Sequence, residues 1–214
     1  EPYYAMGIRN SFGLAVDPIT GNLWDTENGD DDFDEVNLVL PNFNSGWEVI
    51  MGPATQDDIS LLPGYEGYVY SDPEFSWQKP VAPTAITFAN SEPLAKFKDS
   101  VFVGDCIYGN LYKFDLNSDR SEFVFTNTEL QDKVVNIGES LDEIIFGTGF
   151  GCITDLEIGP DGLLYVVSLS EGTIFRMIPQ SMAAASVSSN EGGCLIATAT
   201  FGSELAPQVQ FLRE

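Results

Sequence analysis

Two kinds of polar group meet in one short stretch of this chain. Arg9 and Asn10 offer forked hydrogen-bond donors, and Glu27, Asp30, Asp31, Asp32, Asp34 and Glu35 follow them with carboxylates. A guanidinium and an amide can hold an anion, while hard oxygen donors can hold a divalent cation such as Ca²⁺. The same residues also admit a plain reading. An Arg beside carboxylates often forms a local ion pair, and an acidic loop is often a solvated turn.

The elements that must position these groups are strands. Ser11-Phe12-Gly13-Leu14-Ala15-Val16 leads through the turn Asp17-Pro18-Ile19-Thr20-Gly21-Asn22 to Leu23-Trp24. A third strand, Glu35-Val36-Asn37-Leu38-Val39, follows the acidic loop. No helical period runs through the stretch, so the donors precede the first strand and the carboxylates join the second to the third. Anion and cation binding would then share one rim.

Composition narrows the chemistry. The chain has 214 residues, with Lys+Arg 9 against Asp+Glu 33 and a net charge of −24. A surface so negative repels phosphate backbones and anionic lipids, which makes nucleic acid a poor partner and cations good ones. The absence of histidine excludes Ser-His-Asp, Cys-His and His-zinc chemistry from these residues. Cys106, Cys152 and Cys194 are odd in number and far apart, so at least one thiol lacks a partner within the chain and one disulfide stands as an option. No apolar run approaches the length of a membrane span, and nothing in the composition sets an oligomeric state. Glu1 reads as an internal starting point, and the chain is expected to be a fragment.

An internal repeat organises the rest. Gly13-Leu14-Ala15-Val16-Asp17-Pro18 to Trp24 is echoed by Asp155-Leu156-Glu157-Ile158-Gly159-Pro160-Asp161-Gly162-Leu163-Leu164-Tyr165-Val166. A looser copy runs from Ala85 to Phe88 and from Ser100 to Leu116. The copies begin about seventy residues apart, longer than a minimal propeller blade of roughly 40 to 50. Outer strands are expected at Trp47–Ile50 and Glu122–Phe125, with long rim loops over Met51–Tyr65 and Tyr70–Trp77. This predicts an all-β fold, a β-propeller fragment of about three blades of a six-bladed ring, with an exposed apolar blade face. A β-sandwich with similar turns is the alternative. The expected domains are a propeller portion over 1–179, a linker over 180–193 and a separate C-terminal element over 194–214 that includes a short α segment.

Four ordered motifs in the first blade carry a resemblance. They are Arg9-Asn10-Ser11-Phe12-Gly13-Leu14, Glu27-Asn28-Gly29, Asp34-Glu35-Val36-Asn37 and Asn44-Ser45-Gly46-Trp47. The chain resembles the glucose/sorbosone dehydrogenase propellers, the soluble pyrroloquinoline-quinone (PQQ) sugar dehydrogenases and their relatives, over about residues 3–179. The resemblance implies cofactor and substrate contacts from Arg9 and Asn10, and Ca²⁺ ligation by the carbonyls of Gly29 and Asp30. Asp34 and Glu35 would add side-chain support or serve a second cation. The implied function is a calcium-binding sugar dehydrogenase-like propeller, oxidising an aldose at its reducing-end carbon by hydride transfer to PQQ.

The chain also departs from that family. Where the enzymes carry Arg-x-Arg-Asp before the last Pro-Asp-Gly turn, this chain has Cys152-Ile153-Thr154-Asp155, and a cofactor lysine is replaced near Ile107. A quinone with three carboxylates loses its cationic partners there. A non-catalytic extracellular propeller that binds carbohydrate or a protein partner is the competing expectation. The tail, Cys194-Leu195-Ile196-Ala197-Thr198-Ala199 with Gly202-Ser203, is similar to a short C-terminal Cys-Phe/Leu-Ile box of surface or exported proteins. The implied location is extracellular, cell-surface or periplasmic.

Overall fold

A computed structural model describes residues 3–179. The linker and C-terminal element expected over 180–214 lie outside the described residues. Three antiparallel sheets follow one another along the chain. The first is built on Ser11–Val16, Leu23–Glu27, Asp34–Val39 and Phe75–Trp77, in spatial order, and the second on Pro83–Phe88, Ser100–Asp105, Leu111–Leu116 and Phe123–Val124. The third has Ile153–Ile158, Leu164–Ser168 and Thr173–Met177. In each, the first strand in sequence lies innermost, and the innermost strand of the second sheet packs against those of the other two. These are three blades of a β-propeller.

The blades are held by two apolar layers that strand alternation makes inevitable. Trp24, Val36, Phe75 and Trp77 of the first blade meet Val101, Val103, Tyr112 and Phe114 of the second. Ala85, Phe102 and Leu111, on the opposite face of the second blade, meet Ile153, Leu156, Leu164 and Val166 of the third. The second blade is thus buried on both faces, which is why all six residues of Ser100–Asp105 are buried. Aromatic rings do much of the filling. Phe114 stacks on Phe123 at 4.6 Å, and Phe75 meets Trp77 edge-on at 5.0 Å between centroids.

One face of the first blade is uncovered at its inner strand, as the repeat suggests. Leu14 and Val16 point away from the second blade and are 64% and 60% exposed. Across the covered interface a buried ion pair ties the first two blades. Arg120, in the turn between the second blade's last two strands, sets Nε 2.7 Å from Asp17 in the first blade's opening turn, with side-chain exposures of 6% and 0%. The pairing Ala15↔Trp24 and its counterpart Glu157↔Tyr165 confirm the repeated hairpin in register.

Three local expectations are corrected. Trp47–Ile50 is a turn, not an outer strand, because Gly46 has φ +96° and its carbonyl accepts from both Val49 and Ile50. The strand that pairs outside Asp34–Val39 is Phe75–Trp77, within a stretch whose Pro and Gly neighbours suggest a rim loop, and the two-residue strand Val134–Val135 pairs parallel on its far side. The loop over Met51–Tyr65 contains a helix, Gln56–Leu61, started by a capping box between Thr55 and Asp58. Among the described residues no helix is long and apolar enough to cross a membrane.

Candidate functional site

The rim stretch separates into two layers. In the upper one Arg9 is committed to its neighbours. Its guanidinium donates to the Asn28 carbonyl at 2.9 Å and to Asp30 Oδ1 at 2.7 Å, and lies 5.3 Å from the Trp47 ring centroid. Asn10 is exposed, and its backbone carbonyl accepts from Asn28 N–H. The ion pair of the plain reading is therefore present. Asp30 itself is 66% exposed at its side chain, so the pair is largely in solvent.

Gly29 and Asp34 form the frame of the acidic loop. A Cβ at Gly29 would overlap the carbonyl oxygens of Asp32 and Phe33, so only glycine lets the loop close this tightly. Asp34 is buried, and both its oxygens are taken by backbone donors. Gly29 N–H donates to Oδ1 at 2.8 Å, while Val81 and Ala82 N–H donate to Oδ2 at 2.6 and 2.7 Å. The side chain expected to support a cation instead pins the loop to the start of the second blade.

The lower layer is the unusual one. Antiparallel register sets Glu27 opposite Glu35 and Asp25 opposite Asn37, all on the face of the blade turned from the second. Each of the four is at most 2% exposed. The Oε2 atoms of Glu27 and Glu35 converge on the same two groups. Ser45 Oγ donates to Glu27 at 2.7 Å and lies 3.5 Å from Glu35, while Asn37 Nδ2 lies 3.5 Å from Glu27 and 3.3 Å from Glu35. Glu35 Oε1 accepts from Gly52 N–H at 2.5 Å. Gly52, at φ +82°, must be glycine, since a Cβ there would enter the Phe33 ring.

Burial dominates the electrostatics. Loss of water pushes Asp25 up to about 6 and Glu27 up to about 7. Glu35 is pushed up to about 8 by burial first and by the charge of Glu27 second. Two carboxylates this close cannot both ionise cheaply without a cation. No described cation sits between them, since the Arg9 guanidinium is directed to Asn28 and Asp30. Asp25 Oδ1, Asn37 Oδ1 and Ser11 Oγ are buried without hydrogen-bond partners in the same layer. No group of three or more Asp, Glu, Cys or His side chains that could hold a metal ion occurs among the described residues. What the layer offers is a close carboxylate pair, Glu27 and Glu35, with Asp25 and neutral oxygens beside it.

Asp25, Asn37 and Ser45 are not legible as site residues from the motifs alone. The signal is hairpin symmetry: the two strands flanking the acidic loop carry Asp25 and Glu27 on one and Glu35 and Asn37 on the other, at positions that must face each other. Elsewhere on the rim, Cys106 and Cys152 form a disulfide linking the second and third blades. Ile107 and Tyr108 are exposed beside it, and the Lys79 ammonium lies 5.3 Å from the Tyr108 ring centroid.

Comparison with known proteins agrees with this architecture. The Synechocystis protein slr1608 is 26% identical over 176 residues, covering 81% of this chain and 38% of its own length. The aldose sugar dehydrogenase YliI of Escherichia coli is 26% identical over 183 residues, covering 83% of this chain and 44% of its own. The PQQ-bound structure of the aldose sugar dehydrogenase from Streptomyces coelicolor superposes with a TM-score of 0.53 at 24% identity, over 78% of this chain and 40% of that one. The chain spans about four tenths of the length of these relatives. The glucose/sorbosone dehydrogenase family model matches residues 1–176. With the three blades and the ordered first-blade motifs, that match makes this chain a member of the glucose/sorbosone dehydrogenase family.

Proposed function

We propose that these blades are the calcium-binding part of a sugar dehydrogenase-like propeller, with the ion held by the Glu27–Glu35 pair. The observation that carries the reading is the convergence of two fully buried carboxylates, both pushed toward protonation, on shared neutral donors. A Ca²⁺ ion between them would let both ionise and would accept Ser45 Oγ as a further oxygen ligand. The Asn37 amide can present either end, and turning it over would aim its unpartnered Oδ1 at the ion. The carbonyls of Gly29 and Asp30 remain candidates for a second ion at the rim. That location is favoured by the surrounding carboxylates alone.

The substrate class follows from kinship. The relatives named as aldose sugar dehydrogenases support oxidation of an aldose at its reducing-end carbon by the complete ring. The rim of these three blades does not itself fit a tricarboxylate quinone. Arg9 is neutralised by Asp30, Asn10 carries no charge, and a disulfide stands at Cys152. The Lys79 ammonium stands over the Tyr108 ring rather than beside Arg9. That observation favours a second reading, a non-catalytic propeller that binds carbohydrate or a protein partner. The Cys106–Cys152 disulfide supports an extracellular, cell-surface or periplasmic location, since such bonds persist in oxidising compartments.

Reconstitution of the full-length protein with PQQ and Ca²⁺ separates the two. Cofactor absorbance with aldose-dependent dye reduction supports the dehydrogenase. Calcium binding without either supports the non-catalytic propeller.

A further inference from the structure

We propose that an acidic cleft at the outer edge of the first blade is the passage by which a divalent cation reaches the Glu27–Glu35 pair. This rests on the reading of that pair as a calcium site. The cleft has a volume of about 490 Å³ and runs between the segment before Phe75–Trp77 and the loop that follows the second blade. Asp72 and Glu74 line one side, and Glu122 and Asp132 the other. Lys133 Nζ sits among them, 2.8 Å from Glu74 and 3.5 Å from Glu122, so the mouth already holds one cation. Four carboxylates against one ammonium leave it strongly negative.

Ser76 connects this mouth to the buried pair. It lines the cleft, is fully buried, and its hydroxyl has no hydrogen-bond partner. In the ladder it stands directly opposite Glu35, with its side chain on the same face of the sheet. Tyr70 lines the same cleft, donates from its hydroxyl to Asp72 at 2.8 Å, and has its ring against Gly46, next to Ser45. An ion moving inward from the carboxylate mouth therefore meets a free hydroxyl oxygen and then Glu35. Fields of this kind set association rates more than affinities.

The test is stopped-flow association and dissociation of CaCl₂ with the full chain, followed by competition with a fluorescent chelator. The Glu122→Gln/Asp132→Asn variant should slow association about tenfold at low salt and leave dissociation unchanged, with the difference fading as salt rises. Ser76→Val adds bulk in the passage. It should slow association and dissociation by a common factor of about ten, the scale of one added methyl at a barrier, with an unchanged Kd. Ser76→Ala, which removes the hydroxyl oxygen but adds no bulk, should slow both rates less than Ser76→Val does, and thermal unfolding of each variant controls for folding. Calcium binding with unaltered rates in both the mouth variant and Ser76→Val overturns the passage while leaving the site intact. Failure of the unsubstituted protein to bind calcium overturns the site itself, and the passage with it.

Discussion

Glu27 and Glu35 face each other across adjacent antiparallel strands, both fully buried, with the Ser45 hydroxyl and the Asn37 amide within 3.5 Å of each. In the calcium-free protein this pair makes stability depend on pH. Both groups bind a proton more tightly folded than unfolded, since burial raises them from about 4.5 toward 7 and 8. Their contribution is full below about pH 4.5 and is lost as pH rises through the folded values. Chelator-treated protein should therefore melt progressively lower from pH 5 to pH 8, and saturating Ca²⁺ should flatten the profile. Thermal unfolding across that range, with and without calcium, measures it.

Asp34 and Glu35 are neighbours in sequence with different work to do, and substitution should separate them. Asp34→Ala strands three backbone donors, those of Gly29, Val81 and Ala82. It should cost about 3 kcal/mol, and equally with and without calcium. Glu35→Gln should leave calcium-free stability near or above its original value at pH 8 and abolish the calcium response. Denaturant melts of both variants, each with chelator and with calcium, distinguish the two roles.

Removing Arg120 leaves Asp17 buried beside an apolar interface without its cation. Arg120→Met should destabilise the protein by about 3 kcal/mol, because an unpaired buried charge is costly. The double variant Arg120→Met/Asp17→Asn should recover part of that loss. A double-mutant cycle by chemical denaturation gives the coupling.

The disulfide closes a separation of 46 residues between two blades. Thiol titration of the denatured, unreduced chain should find one reactive thiol, that of Cys194, and three after reduction. Cys106→Ser/Cys152→Ser should lower stability by about 4 kcal/mol on the loop-entropy scale. A chain with three free thiols before reduction would remove the bond and the support it gives to an oxidising location.

Much of this was readable in the sequence, and the failures have physical causes. Period-two alternation and the Pro-Gly turns gave the blades, since strands such as Ser11–Val16 and Ile153–Ile158 take their face assignment from local pattern. The strand Phe75–Trp77 was hidden because it pairs with Asp34–Val39 across an excursion of more than thirty residues, which no local signal encodes. At the candidate site, the motifs lead to the acidic loop and its visible carboxylates, and the structure adds the buried pair beneath them. Asp30 lies in solvent and Asp34 is saturated by backbone donors, whereas Glu27 is made special by a partner eight positions away. Only the hairpin register brings those two together.

The most direct measurement is isothermal titration of CaCl₂ into chelator-stripped full chain at several pH values. One ion should bind at the pair, releasing protons near pH 6 to 7 that are no longer released near pH 9, and binding should be lost in Glu27→Gln/Glu35→Gln. Absence of binding, or binding that survives the double substitution with no proton release, would contradict the assignment of calcium to Glu27 and Glu35.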